Sequence, residues 1–134
     1  MLESVLVLDT WPVMAFLTAQ DAAPAVKDLL TRAHASGCQL WMTTVNLGEV
    51  WYSVARRKSE EVADRELARL LELGVRVADV DWALTRRAAR LKTKYRLAYA
   101  DCFAAALAQQ LRCKVVTGDP EFRQLEKEVK VQWL

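Results

Sequence analysis

Apolar residues fall along this chain in two alternating rhythms. Short runs rich in β-branched residues and leucine are separated by longer stretches with a helical repeat. Ser4 to Leu8 (SVLVL) is unbroken by charge, the pattern of a strand buried on both faces. Gln39 to Thr43 (QLWMT), Val75 to Val80, Lys114 to Thr117 (KVVT) and Val129 to Trp133 (VKVQW) read as four further strands. Pro12 suits the first turn of a helix through Leu17. A second helix spans Ala22 to Ser36, with Asp21 as its N-cap and Gly37 just past its end. A third runs from Val45 to Lys58. Its Leu47, Val50, Trp51 and Val54 stand at i, i+3, i+4 and i+7, while Asn46, Glu49, Ser53 and Arg56 share the other face. Ser59 caps a fourth helix that ends at Leu73, before Gly74. Asp81 caps a fifth, from Trp82 to about Tyr95. A sixth spans Tyr99 to Leu111, and Pro120 to Leu125 forms a short last one.

Strands that alternate with helices imply parallel pairing through right-handed crossovers, hence a three-layer α/β fold with a mostly parallel central sheet of about five strands flanked by helices. No linker, repeat or low-complexity stretch interrupts the 134 residues, so a single domain over 1–134 is expected. At 53% apolar and 27% charged, the composition fits a soluble folded chain rather than a disordered one. No apolar run approaches bilayer length, and no basic segment followed by an apolar block opens the chain. The expectation is a cytoplasmic protein with no membrane partner.

The chemistry is bounded by what is scarce. Three cysteines (Cys38, Cys102 and Cys113) without short spacing make neither a disulfide framework nor a zinc site, and read as buried thiols. One histidine, His34, leaves no material for imidazole metal sites or histidine-activated nucleophiles. Any catalysis falls to carboxylates.

In a parallel sheet the reactive edge is the carboxyl end of the strands. Asp9 stands there, directly after SVLVL, and Asp119 stands there, after KVVT and Gly118. Gly118 permits a sharp turn or a close approach to a ligand. Glu49 lies in the helix that follows the second strand. Asp101 lies near the start of the sixth helix in YADCFAAALA, among small and apolar residues where a solvated face would show several charges. Ala104, Ala105, Ala106 and Ala108 give that helix a slim profile, which serves either close passage of a substrate backbone or tight helix–sheet packing. Four converging carboxylates repel one another unless a cation intervenes, and Mg²⁺ is the hard, oxygen-seeking ion for that role. Metal-assisted phosphodiester hydrolysis follows, with a metal-bound water as nucleophile.

The net charge is only +2, yet four of the 17 acidic residues belong to this set, which leaves the 19 basic residues an excess of six over the remainder. A basic body around an acidic pocket suits a polyanion. The bases cluster at Arg56, Arg57 and Lys58 and again through Arg86, Arg87, Arg90, Lys92, Lys94 and Arg96. Arg56, Arg57, Arg86 and Arg87 are the candidate contacts for such a polyanion; the alternative is an ordinary solvated helix face.

Four segments in order, VLVLDT, TTVNLGEV, YADCFAAALA and VTGDPEF, resemble the PIN-domain nucleases, and most closely the VapC-type toxins of toxin–antitoxin pairs. The resemblance covers essentially the whole chain and implies a three-layer PIN-like fold and a Mg²⁺- or Mn²⁺-dependent ribonuclease. It assigns the metal pocket and catalysis to Asp9, Glu49, Asp101 and Asp119. It gives Thr10 and Thr117 supporting roles beside the first and last acids, holding a carboxylate or phosphate. Asn46, one helical turn before Glu49, is expected to support it. Glu121 is either a peripheral ligand or a first-turn glutamate favoured by the helix dipole. Trp11 departs from the small or hydroxyl residue common two positions after the first acid. It narrows the cleft, stacks a nucleobase, or packs against the second helix. Trp41, Trp51, Trp82 and Trp133 read as core or interface.

The resemblance further implies a homodimer held inactive by a cognate antitoxin, and apolar aromatics near the N-terminal helices (Trp11, Phe16, Trp51, Tyr52) would suit such an interface. Three alternatives stand beside the toxin: a free-standing PIN nuclease in RNA processing, a non-cleaving PIN-like binding module, and a phosphorylation-receiver domain. The last fits poorly, because Asp9 lacks an acidic neighbour, QLWMTT ends in Thr and KVVTGD ends in Asp.

Overall fold

A computed structural model describes residues 3–134. Five strands, β1 (Val5–Leu8), β2 (Gln39–Thr43), β3 (Val75–Ala78), β4 (Lys114–Thr117) and β5 (Val131–Trp133), form one sheet in the order β3-β2-β1-β4-β5. Every adjacent pair is parallel. β1 is therefore the central strand. Its Leu6 and Leu8 pack on one side of the sheet and Val7 on the other, which is why its sequence is a continuous apolar run.

Six α-helices cover the two faces: α1 (Thr10–Leu17), α2 (Ala23–Ser36), α3 (Thr44–Arg57) and α4 (Glu60–Glu72), then α5 (Trp82–Lys94) and α6 (Tyr99–Leu111). Leu6, Leu8, Leu40, Met42 and Val116 meet the first four helices through Val13, Val26, Leu29, Val50 and Leu70. Val7 and Val115 meet α5, α6 and a 3₁₀ helix (Pro120–Leu125) through Leu84, Leu91, Phe103, Leu107 and Phe122. Each such fully buried large side chain contributes on the order of 1.5–3 kcal/mol through removal from water. Among the described residues no helix is long and apolar enough to cross a membrane.

The expected caps largely hold. Ser59 accepts the Val62 N–H, Asp81 accepts the Leu84 N–H, and Gly37 takes the left-handed conformation after α2. α6 and β4 occupy the expected bounds. Several ends differ. The α2 N-cap is Ala22, without a side-chain bond, and Asp21 is exposed outside the helix. β3 stops at Ala78 because Ala78 pairs with Thr43, the last residue of β2, so Asp79 and Val80 have no ladder to join. β5 starts at Val131 because the Val129 N–H still binds the Leu125 carbonyl of the preceding 3₁₀ turn.

Candidate active site

Chain direction brings the ends of β1, β2 and β4 to one edge of the sheet. Asp9 follows β1 as the N-cap of α1, and Asp119 follows β4 as the N-cap of the 3₁₀ helix. Glu49 lies on α3, which springs from β2 without an intervening loop, and Asp101 is in the first turn of α6. Asp9 is 1% exposed and Asp101 8%, whereas Glu49 and Asp119 are half-buried.

Thr117 ties two of these positions together. Its hydroxyl donates to Asp9 Oδ2 at 2.9 Å and accepts the Asp119 N–H at 3.1 Å. Asp119 Oδ1 in turn accepts the Glu121 N–H at 3.0 Å. The other Asp9 oxygen, Oδ1, is buried without a hydrogen-bond partner. Such an orphan normally costs about 1–3 kcal/mol, and more if charged.

The charges bear this out. Burial is the main force on Asp9 and pushes its carboxyl up to about 7. The Thr117 hydroxyl and the Thr10 backbone N–H pull it back, and Glu49 and Asp119 push it further. Asp101 rises to about 8, first from burial, then from Asp9, Asp119, Glu49 and finally Glu121. Acids drawn from four separate segments thus act electrostatically on Asp9 and Asp101. None of them is ion-paired to a lysine or arginine among the described residues.

The donor set is all oxygen, with one orphaned buried carboxylate atom, and it fits a hard divalent cation. Among the described residues no group of three or more His, Cys, Asp or Glu side chains is placed to hold a metal ion together. The fit is to the open mode of Mg²⁺, in which one or two carboxylates bind and water or phosphate completes the shell.

Asn46 is fully buried and is a hub rather than a member of a solvent face. Its side-chain amide donates to Thr10 Oγ1 and to the Ala100 carbonyl, both at 3.1 Å. Its Oδ1 accepts the Thr43 hydroxyl at 2.6 Å, and its N–H donates to the same hydroxyl at 3.0 Å. It therefore joins the start of α3 to the residues adjoining Asp9 and Asp101. Thr10 points its hydroxyl at Asn46, within 3.5 Å of the Asn46 carbonyl, so it does not hold a carboxylate by that group. Thr43 was not singled out in the sequence. Its signal is the TTVN spacing, a hydroxyl three residues before a polar side chain at a helix start.

Trp11 lies against the far strand end. A β-carbon at Gly118 would overlap the ring atoms Cη2, Cζ3 and Cζ2, so the indole lies directly against the Gly118 backbone, between Thr117 and Asp119. Gly118 is required for this close approach. Ala104, Ala105, Ala106 and Ala108 are fully buried in the core, which makes them packing residues and removes them from any substrate path. Glu121 is exposed at the rim. Trp82 is 71% exposed, so it is no core residue, and Trp133 is also exposed.

The candidate RNA contacts lie outside the acid cluster. The Arg56 guanidinium sits 4.9 Å from the centroid of the exposed Tyr52 ring. Arg57 lines a hollow between α1, α3 and α4 with Leu17, Val54, Val62 and Glu66. Arg86 and Arg87 line a cavity between α5 and α6.

A family model for the PIN domain matches residues 6–128, and the chain belongs to that family. A comparison with curated proteins returns no match. Among solved structures the fold is similar to that of VapBC2 from Rickettsia felis bound to a promoter DNA fragment (TM-score 0.74, 19% identity, covering 97% of this chain and 98% of that one). It is similar also to VapC20 of Mycobacterium tuberculosis, described as a sarcin–ricin loop cleaving toxin (TM-score 0.72, 20% identity, 89% and 93%). A third is FitAcB from Neisseria gonorrhoeae (TM-score 0.70, 22% identity, 94% and 95%). At these identities the likeness is one of fold: this is a PIN domain with the architecture of VapC toxins.

Proposed function

We propose that this chain is a divalent-metal-dependent endoribonuclease and the toxin of a toxin–antitoxin pair. Asp9, Glu49, Asp101 and Asp119 are its metal-holding, catalytic acids. The observation that carries the reading is the buried, unpartnered Asp9 Oδ1 within a set of acids that have no basic partner and whose buried members, Asp9 and Asp101, hold their protons more tightly than ordinary carboxyls do. Such a cluster is unfavourable to the bare fold, and a cation relieves it.

Asp9 and Asp101, the most buried of the four, would bind Mg²⁺ or Mn²⁺ directly, and Glu49 and Asp119 would hold it through its water shell. When bound there, the ion would supply an activated water and offset charge on the phosphate. Thr117 fixes the Asp9 carboxylate and the backbone of Asp119 at once. Asn46 fixes the starts of α1 and α6 against α3, so the acids are held before substrate arrives.

RNA as substrate is supported by the VapC20 likeness, and an antitoxin partner by the likeness to VapBC2 and FitAcB. A homodimer acting in the cytoplasm completes the reading. The test is induced expression of wild type against Asp101→Asn, scoring growth and mapping cleaved RNA ends. Growth arrest with discrete new RNA ends only in wild type is expected. Equal arrest and equal cleavage by both would end the assignment.

A further inference from the structure

Two adjoining cavities run along the α5–α6 side of the molecule. The first, of about 390 Å³, is lined by Arg86, Arg87, Arg90, Lys94, Gln109 and Glu128. The second, of about 610 Å³, shares Arg87, Gln109 and Glu128 and adds Glu3, Arg112, Lys114 and Lys130. Their walls therefore hold seven basic and two acidic side chains. That local excess of five lies in a chain whose net charge is +2, so the rest of the molecule is net negative. The positive charge is concentrated here rather than spread over the surface.

The walls are also partly organised. Glu128 accepts the Tyr95 hydroxyl at 3.1 Å, lies 3.4 Å from the Gln109 amide, and pairs with Lys94 at 3.5 Å. Lys114 pairs with Glu3 at 2.9 Å. Arg86, Arg87, Arg90, Arg112 and Lys130 have no carboxylate partner among the described residues. Three of these unpaired guanidiniums lie along one stretch of α5. Gln109, on α6, lies eight residues beyond Asp101, a rise of about 12 Å along that helix. One helix thus reaches both the acid cluster and the cavity.

We infer that this cavity is a second RNA site, which holds phosphates of the strand away from the acids. The inference rests on the reading of the acids as a phosphodiester-cleaving centre. An acidic pocket repels a polyanion, so affinity has to come from elsewhere on the surface. Arginine forks suit phosphate oxygens, and unpaired ones have no internal bond to give up. Glu128 tempers the site by occupying Lys94, and its removal frees a cation without removing a hydrogen-bonding side chain if glutamine replaces it.

The experiment measures fluorescence anisotropy of a short labelled oligouridylate with the full chain in EDTA, over a range of salt. Arg86→Ala/Arg90→Ala is expected to lower the slope of log affinity against log salt by about 1.4, at about 0.7 per phosphate contact on a single strand. Affinity at low salt should fall at least about tenfold, the scale of a charge-assisted bond. Glu128→Gln is expected to shift both quantities the opposite way, which loss of folding would not do. Arg65→Ala, on the exposed side of α4, is the control and should leave the slope nearly unchanged. An unchanged slope in the double arginine variant, weaker binding by Glu128→Gln, or an equal effect at Arg65 would overturn the site. So would dissociation of an oligomer by the arginine variant in sedimentation, which would make the cavity an interface. Wild-type cleavage with Mg²⁺ is measured separately. Intact cleavage with no cavity effect removes this site alone, and a cavity effect without any cleavage removes the reading of the acids alone.

Discussion

The Thr117 hydroxyl binds Asp9 Oδ2 at 2.9 Å while also receiving the Asp119 N–H, so one side chain fixes both acids that end the neighbouring strands β1 and β4. Thr117→Val keeps the shape and deletes both bonds. It leaves a buried carboxylate oxygen and a backbone N–H short of partners, and is expected to destabilise the fold by about 1–3 kcal/mol in denaturant titration. Divalent-cation affinity should fall with it, because Asp9 becomes harder to ionise.

Replacing the acids themselves should act in the opposite direction on the metal-free protein. Asp9→Asn/Asp101→Asn removes two mutually repelling, desolvated carboxyls, so its melting temperature without metal should equal or exceed that of wild type. Mg²⁺ or Mn²⁺ should raise the wild-type melting temperature and leave the double variant unmoved. Cleavage should be lost. Wild-type levels of cleavage in the double variant would exclude these acids from the chemistry.

The same two carboxyls give stability a defined dependence on pH. Each takes up a proton more readily in the folded chain than in the unfolded one, where the ordinary value is 3.8. The folded state therefore binds more protons between that value and about 7 for Asp9, or about 8 for Asp101, and stability declines as pH rises through the interval. Other groups titrate too, so the readout is a difference. In EDTA, the melting temperature of Asp9→Asn/Asp101→Asn should gain on that of wild type as pH climbs, and the gain should level off above about 8. A constant difference across that range would contradict the burial of these groups.

Gly118 and Trp11 should be energetically coupled. Gly118→Ala forces its new methyl into the indole and is expected to cost about 1–3 kcal/mol. In a Trp11→Ala background the same change has room, so a double-mutant cycle should yield a coupling of at least about 0.5 kcal/mol. Additive losses would mean that the ring had already moved away.

The Asn46 side chain makes three hydrogen bonds within the protein, two donated by its amide nitrogen and one accepted by Oδ1. Asn46→Ala strands Thr10, Thr43 and the Ala100 carbonyl, and a loss of roughly 2–4 kcal/mol is expected from two or more unsatisfied buried groups. Hydrogen exchange should rise at the start of α6 before it rises elsewhere.

The two views of Asn46 show where the sequence was legible. Helical periodicity places it with Glu49, Ser53 and Arg56, opposite Leu47 and Val50, and that is correct for a helix with one partner. α3 packs on the sheet with one side and approaches the start of α6 near Asn46, and periodicity in one segment carries no sign of that second neighbour. The partner of the Thr10 hydroxyl is hidden from a local reading for the same reason, since it lies 36 residues away. Trp11 was an undecided case because the glycine it rests on belongs to the far end of the chain. What the sequence did carry were features written within a few neighbouring residues: strand-terminal acids, the caps at Ser59 and Asp81, the glycine after α2, and the bounds of α6 and β4. The acids were legible as a set only because four segments stood in a known order; their mutual influence is a property of the folded sheet.

That sheet has a temporal consequence. β4 lies beside β1 although 108 residues separate Asp9 from the threonine that steadies it. On the ribosome, a nascent chain that has made β1, β2 and even α6 still lacks the wall against which Asp9 is oriented. The pocket is complete only once residues 114–119 have emerged and slotted in beside β1.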